Sequence, residues 1–571
     1  MDKAIIEFKD FTFQYFSQAE ATLHNINLTI YPGEKILIIG PSGSGKSTLG
    51  HCLNGLIPFA YKGKIKGNLK INGIETIDLD IFGLSKTLGT VLQDSDGQFV
   101  GLTVGEDIAF ALENDNIELG AMKDRVRKVA EMVDMDQLLN SSPYELSGGQ
   151  KQRTALGGVL VDDVEVLLFD EPLANLDPET GKRAIEIIDE IHINSKKTII
   201  IIEHRLEDVL HRDIDRVILI NNGRILADLN PHDLVASSLL VENGIREPLY
   251  ITGLKYAGVN LDKDMEAGHI WSLKMKGLES QVVDWQKSIK KTSKEVNVNS
   301  ILKIENLSFS YDGSKNNLDK INIDIKKGEM VSIVGKNGAG KSTLSKVICG
   351  FEREDKGSIY YDGRDIKDLS IKERAEIIGL VLQNPNQMIS KPMIYDEVAL
   401  GLVNRGISEE EINFRVEKVL QVCGLSPFID WPISALSYGQ KKRVTIASIL
   451  VLDPEIIILD EPTAGQDYKH YTEIMEFLRE INKTGVTIIL ITHDMHLMLE
   501  YTPRSIVLTD GKLVVDAPSS LVLTNEEIIS FANLKRTSLY DLAQKVGIED
   551  ETEFVQNFID YERWVRLENE E

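Results

Sequence analysis

Cysteine is scarce in this 571-residue chain: Cys52, Cys349 and Cys423 are the only three, and no two are close in sequence. That excludes metal-ligand spacing and predicts no disulfide framework, so all three read as small apolar residues in reducing surroundings. Long apolar runs are missing too. Segments such as 199–202, 456–459 and 488–491 are short, whereas a membrane-spanning helix needs roughly 20 apolar residues. The start, Met1-Asp2-Lys3, leads straight into Ile5-Ile6-Glu7-Phe8 without a charged-then-apolar leader, so the chain is expected to stay in the cytosol. Positive charge is also in deficit. A net charge of −26 argues against nucleic acid as a partner, because a nucleic-acid surface needs clustered Lys and Arg to displace counterions.

What is present begins with a glycine-rich loop. Gly40-Pro41-Ser42-Gly43-Ser44-Gly45-Lys46-Ser47-Thr48 follows the apolar run 36–39 and opens an apolar-periodic segment at Leu49. The pattern G-x-x-x-x-G-K-[ST] between a strand and a helix cradles phosphates, since glycines let backbone N–H groups converge where a helix N-terminus adds its dipole. Lys46 is then placed to reach the β- and γ-phosphates, and Ser47 to ligate Mg²⁺. The loop recurs as Gly335-Lys336-Asn337-Gly338-Ala339-Gly340-Lys341-Ser342-Thr343 after the apolar run 330–334.

The recurrence is part of a tandem duplication. Lys46 and Lys341 are 295 residues apart, the pairs Gln93/Gln383, Ser147/Ser437 and Asp170/Asp460 are 290 apart, and His204/His493 are 289 apart. The change after the first pair predicts an insertion in the first copy between Gly55 and Gly67, and the near-constant offset excludes a short-period solenoid. Each copy opens with strand-like runs (5–13 and 23–30; 302–309 and 318–325). A polar, helix-rich middle follows (104–139; 396–423). In the first copy a helix from Gly149, a strand at 164–169, a helix after Pro178 and a strand at 198–202 come next. Short Ile/Val/Leu runs separated by helical lengths indicate strands buried on both faces of a parallel sheet, so each copy is an α/β domain with a helical insertion. The expected division is 1–234 and 301–520 for the copies, 235–300 for a small helical appendage and Lys-rich linker, and 521–571 for an amphipathic helical tail carrying Ile528, Ile529 and Phe531 near its start and Phe558, Tyr561 and Trp564 nearer its end.

Leu146-Ser147-Gly148-Gly149-Gln150 stands shortly before an apolar strand ending Phe169-Asp170-Glu171-Pro172, and the second copy has Leu436-Ser437-Tyr438-Gly439-Gln440 and Leu459-Asp460-Glu461-Pro462. Order and spacing resemble the ATP-binding-cassette (ABC) family. The resemblance implies two P-loop nucleotide-binding domains, each a mostly parallel sheet core with an antiparallel β subdomain and a helical insertion, and it implies an ATPase using ATP and Mg²⁺. Asp170 and Asp460, at strand ends beside the loop, are suited to hold Mg²⁺ through its water shell, and Glu171 and Glu461 to polarise the attacking water. By resemblance, Gln93 and Gln383 are the Q-loop residues touching metal and water, His204 and His493 contact the γ-phosphate, Tyr15 and Tyr311 stack on adenine, and Asp177 and Asp467 couple the two sites.

In that family the signature serves the nucleotide held by the other copy, so the two domains are expected to form an intramolecular dimer with two composite sites. Site one pairs Lys46, Ser47, Gln93, Asp170, Glu171 and His204 with Ser437, Gly439 and Gln440. Site two pairs Lys341, Ser342, Gln383, Asp460, Glu461 and His493 with Ser147, Gly149 and Gln150. Tyr438 replaces the first signature glycine, and Gly465-Gln466-Asp467-Tyr468 departs from Leu176-Asp177-Pro178, so two sites of unequal rate are expected.

The segment from Gln93 through Gly97-Gln98-Phe99 to Phe110 resembles the ATPase subunits of energy-coupling factor (ECF) transporters, which import vitamins and metal ions. Gly55-Leu56-Ile57-Pro58 with its insertion, and Ile202-Glu203-His204-Arg205, resemble fused two-copy members linked to uptake of a thiamine precursor. This resemblance implies an importer for a vitamin, vitamin precursor or metal ion, peripheral on the cytoplasmic face of the cell membrane, with integral membrane scaffold and substrate-binding subunits as partners. The alternative is a soluble tandem ABC ATPase acting on ribosomes, which needs a basic interdomain arm that the short Lys-rich run hardly supplies. A DNA-repair ATPase needs a long heptad insertion for which the chain has no room.

Overall fold

The computed structural model describes residues 3–92, 95–174, 176–289, 299–313 and 316–568. They divide into two compact units, Met1–Val282 and Val283–Glu571.

In the first unit ten strands build two sheets. β1 (Ile6–Tyr15), β2 (Leu23–Ile30), β4 (Gly63–Ile71) and β5 (Ile74–Glu75) form an antiparallel sheet in the order β2-β1-β4-β5. β3 (Lys35–Ile39), β6 (Leu88–Val91), β7 (Val166–Asp170), β8 (Thr198–Ile202), β9 (Arg216–Asn221) and β10 (Arg224–Leu229) form the larger sheet, β10-β9-β3-β8-β7-β6. All of its neighbours are parallel except the β9/β10 edge pair. β3 and β8 are buried along their whole length, as strands covered on both faces must be, which is why they read as unbroken Ile/Leu runs. The core between the sheets gathers Phe8, Phe13, Ile36, Ile38, Leu168 and Ile202.

The second unit repeats the plan. β11 (Ser300–Phe309), β12 (Leu318–Lys326), β14 (Lys356–Tyr361) and β15 (Arg364–Asp365) make the antiparallel sheet. β13 (Met330–Val334), β16 (Ile378–Val381), β17 (Ile456–Asp460), β18 (Thr487–Ile491), β19 (Arg504–Thr509) and β20 (Lys512–Pro518) make the mostly parallel one, ordered β16-β17-β18-β13-β19-β20. In both units the strand ending in the Asp-Glu pair (β7, β17) and the strand preceding the glycine-rich loop (β3, β13) flank the strand that leads to His204 or His493 (β8, β18), so three chain segments far apart in sequence end side by side.

The insertion lies where the offsets put it. Leu56–Phe59 form a helical turn, and β4 runs nine residues against six in β14. The added Tyr61 stacks on His51 at 4.9 Å and meets Tyr15 edge-on at 6.2 Å.

The tail departs from the single amphipathic helix expected. It forms three helices, Glu526–Ala532, Ser538–Val546 and Glu551–Glu568. Asn533 and Gly547 end the first two in left-handed backbone (φ 52° and 76°), while Asn525 and Thr537 cap their starts. Such caps outweigh a continuing apolar stripe. Phe554 and Phe558 are buried, whereas Trp564 stays 46% exposed. Trp285, from the helix Glu279–Ser288, meets Phe554 and Tyr561 edge-on at 5.9 and 5.5 Å. The Lys-rich run after Ile289 lies outside the described residues.

Arg566 fastens the tail to the helix Met495–Tyr501, which follows His493. It donates to Glu500 Oε2 (2.9 Å), Glu476 Oε1 (3.1 Å) and the Tyr501 hydroxyl, with its guanidinium 4.8 Å from the Tyr501 ring. With 15% of its side chain exposed, Arg566→Ala should cost about 3 kcal/mol, because removing one partner of a buried pair strands the other charge. Urea unfolding of that variant against Arg536→Ala, whose side chain is 30% exposed, checks the figure.

Candidate functional site

Each phosphate loop leaves a fully buried strand and enters a helix, Lys46–Leu53 or Lys341–Ile348. The first glycine of each loop is required by close approach. A Cβ on Gly40 would stand 2.1 Å from the Ile220 carbonyl oxygen and one on Gly335 2.0 Å from that of Leu508. Gly43, Gly45, Gly338 and Gly340 take positive φ, between 75° and 104°, and supply the turn itself. Ser42 and Asn337 sit within these turns.

Lys46 and Lys341, 4% and 8% exposed, bend back over their loops. Lys46 Nζ donates to the carbonyls of Gly40 and Pro41 (both 2.9 Å), and Lys341 Nζ to those of Gly335 (2.7 Å) and Lys336 (3.0 Å). Each ammonium is therefore held over its glycine-rich loop at the start of a helix, an arrangement fit for a polyphosphate. Beside Lys46 the buried Ser44 Oγ and Asp170 Oδ1 have no hydrogen-bond partner. In the second unit Ser342 Oγ donates to Asp460 Oδ2 at 3.0 Å.

These carboxylates suit Mg²⁺. Burial pushes Asp170 up to about 6, with Glu171 adding to the rise and Lys46 opposing it, and burial raises Asp460 likewise. A cation would restore the ionised form. Among the described residues no cluster of three or more His, Cys, Asp or Glu could hold a metal. Mg²⁺ bound beside a nucleotide ordinarily takes one or two protein oxygens and its other ligands from phosphate and water. Ser47 and Ser342 would supply the hydroxyls, with Asp170 and Asp460 through water.

Glu171 and Glu461 turn the corner after the strand in left-handed backbone (φ 51° and 44°). His204 Nε2 lies 2.9 Å from Glu171 Oε1, and His493 Nδ1 lies 2.6 Å from Glu461 Oε1. Burial draws Glu171 upward, but its bond to His204 and the charges of His204 and Lys46 hold it below the ordinary carboxylate range, which keeps it a proton acceptor.

Next to His204 the two units differ. Glu203, 3% exposed and raised by burial, accepts the backbone N–H groups of Leu173 (3.1 Å), His204 (2.8 Å) and Arg205 (3.2 Å). In the second unit Thr492 takes its place and donates to Glu461 Oε2 at 3.3 Å.

Ser147 and Ser437 are the N-caps of the helices Gly148–Leu160 and Tyr438–Leu450, with Gln150 and Gln440 closing capping boxes. The first helix thus starts one residue earlier than expected. A Cβ on Gly149 would meet Thr180 Cγ2 at 2.3 Å, while one on Gly439 would meet His470 only at 3.5 Å. Asp177 and Asp467 cap the following helices, and Asp467 Oδ1 also lies 2.7 Å from His470 Nδ1.

Tyr15 is partly buried, its hydroxyl 3.2 Å from Thr48 Oγ1. Tyr311 is 53% exposed and packs edge-on to Phe309 at 4.8 Å, and Thr343 follows Ser342 in the second loop. Gln93 lies outside the described residues. Gln383 is described, and its backbone carbonyl accepts from Lys442 Nζ (2.8 Å) and the Tyr438 hydroxyl (3.4 Å).

Sequence reasoning missed Lys442 and left Glu203 without a role. Both are charged residues on buried faces, a placement that composition and spacing do not disclose. Burial lowers Lys442 to about 8, against the pull of Asp460 and Glu461.

Among known proteins, a family model described as "ABC transporter" matches residues 23–174 and 318–464. A second model, described as an "ATP-binding cassette cobalt transporter", matches residues 237–309. A putative ABC transporter ATP-binding protein of Clostridium perfringens is 60% identical over 564 residues, covering 99% of either chain. One of Vibrio vulnificus (strain CMCP6) is 55% identical over 567 residues, covering 99% of this chain and 98% of its own. Among solved structures, that of cbiO1 from Clostridium perfringens, "part of the ABC transporter complex cbiONQ", is 38% identical and covers 41% of this chain and 95% of its own, at a TM-score of 0.38.

Proposed function

Since this chain belongs to the ABC transporter ATP-binding family, with two cassettes in tandem and the ATPase chemistry of that family, we propose that it is the energy-coupling subunit of an ECF-type importer. The observation that carries the reading is that both units bring the same groups together: the loop lysine, the Asp-Glu pair, a histidine on the glutamate, and a serine-capped signature helix. Neither unit is a degenerate copy.

ATP binding draws the two units together, so that the Ser437 and Gly439 end of one helix meets the triphosphate on Lys46, and the Ser147 and Gly149 end meets that on Lys341. Covalent fusion keeps the halves at an effective concentration on the order of mM. Ser47 with Asp170, and Ser342 with Asp460, would hold Mg²⁺, which when bound would neutralise charge on the phosphates. Glu171 and Glu461 take a proton from the attacking water, and His204 and His493 orient them through the bonds described. Hydrolysis separates the units and resets the cycle.

Coupling to transport runs through the segments after the two Q-loop glutamines. There Val100, Leu102 and Leu119 of the first unit are 62%, 80% and 62% exposed, and Val403, Phe414 and Trp431 of the second are 56%, 63% and 47% exposed. Exposed apolar residues in such positions suit docking to membrane-protein helices. Among the described residues no helix is long and apolar enough to cross a membrane, so attachment at the cytoplasmic face is assigned to scaffold and substrate-binding subunits. The cobalt-transporter description of the model matched at 237–309 favours a metal ion as cargo over a vitamin or vitamin precursor.

Pulldown of the tagged chain from detergent extracts tests the partner assignment. Stoichiometric integral membrane proteins are expected, and Leu102→Glu with Phe414→Glu should reduce their recovery at least about tenfold, the size of a lost interface anchor. Ribosomal proteins in their place would refute the assignment.

A further inference from the structure

Lys442 is 1% exposed, although lysine is almost never fully enclosed without a reason. It projects from the second signature helix, Tyr438–Leu450, beneath the Q-loop. Its ammonium donates to the carbonyls of Leu382 and Gln383, both at 2.8 Å. It also lies close enough to Asp460 and Glu461 to feel both charges. One side chain thus ties the second unit's signature helix to that unit's Q-loop, near its acidic strand end.

In the first unit the corresponding residue is Gln152, 290 positions earlier. It donates to the carbonyl of Pro172, the residue after Glu171. The two signature helices are therefore tied to different loops. A residue serving packing alone would be met more cheaply by an apolar side chain, which needs no desolvation of an ammonium.

We propose that Lys442 is a positioning residue for the second catalytic centre, pinning the Q-loop backbone so that Gln383 stands in register with Asp460 and Glu461. The inference rests on the two-site reading above, in which Gln383, Asp460 and Glu461 all serve the nucleotide on Lys341. Charge-assisted hydrogen bonds of this length are the stronger kind. A displacement of about 1 Å at a catalytic group costs on the order of 100-fold in rate.

The test uses the full-length chain in two backgrounds. In Glu171→Gln only the second centre turns over, and in Glu461→Gln only the first does. Adding Lys442→Met to Glu171→Gln should lower kcat about 10- to 100-fold with KM for ATP changed less than about twofold. Adding it to Glu461→Gln should change turnover by less than about threefold, and Lys442→Arg, which keeps the charge, should restore part of the loss. Should Lys442→Met not fold, Lys442→Gln, which installs the first unit's residue, is read in the same way. Equal losses in both backgrounds, a KM effect without a kcat effect, or no loss in Glu171→Gln would each overturn the inference. If the two glutamate variants do not divide the activity between them, the two-site reading fails first and takes the inference with it.

Discussion

Glu171→Gln and Glu461→Gln together are expected to reduce steady-state ATP hydrolysis by about 10²- to 10⁴-fold, the range over which a positioned general base contributes. The amide keeps the size of the side chain but cannot accept the proton of the attacking water. ATP should still bind, because neither glutamate holds the phosphates in this geometry. Each single variant should retain measurable turnover, and the two residual rates should differ. Three features set the centres apart: Glu203 stands beside His204 where Thr492 stands beside His493, Tyr438 opens one signature helix where Gly148 opens the other, and Lys442 braces only the second Q-loop among the described residues. Steady-state rates of the three variants decide the matter. One single variant without turnover beside another with full turnover would mean that one centre is inert.

Lys46→Ala and Lys341→Ala carry the other large effect. Each lysine is enclosed by its loop and bonded to two carbonyls within it, so its removal takes an enclosed cation away from the phosphates and one donor from each carbonyl. Loss of one partner from a buried charge pair costs about 3–5 kcal/mol, which is about 10²- to 10⁴-fold in nucleotide affinity. Calorimetric titration of the full chain should show two ATP equivalents falling to one in either variant and to none in the double variant. Retention of both equivalents in Lys341→Ala would remove that loop from the binding machinery.

Much of this was legible in the sequence because nucleotide chemistry fixes residue type and spacing together. A loop that must admit phosphate oxygens needs glycine at 40, 45, 335 and 340. The adjacent carboxylates Asp170 and Glu171 carried the resemblance to the ABC family together with the signature before them. Strands buried on both faces announce themselves as Ile/Leu runs, so the sheet core could be placed before its order was known. Other features arise only when distant segments meet. The insertion could be located by counting, but its stacking on His51 could not. The tail's apolar pattern suggested one helix, and the short-range capping of Asn525 and Thr537 with the left-handed turns at Asn533 and Gly547 divided it into three. Lys442 looked like one more lysine in Gln440-Lys441-Lys442-Arg443, and only the approach of the Q-loop distinguishes it from its neighbours.

The reading of the two units as partners in catalysis rests on where each triphosphate is held, and a structure of the Glu171→Gln/Glu461→Gln chain trapped with ATP and Mg²⁺ measures this most directly. Ser437 and Gly439 should lie within hydrogen-bond distance of the γ-phosphate on Lys46, and Ser147 and Gly149 within that distance of the γ-phosphate on Lys341. Either triphosphate contacted by one unit alone would contradict the account.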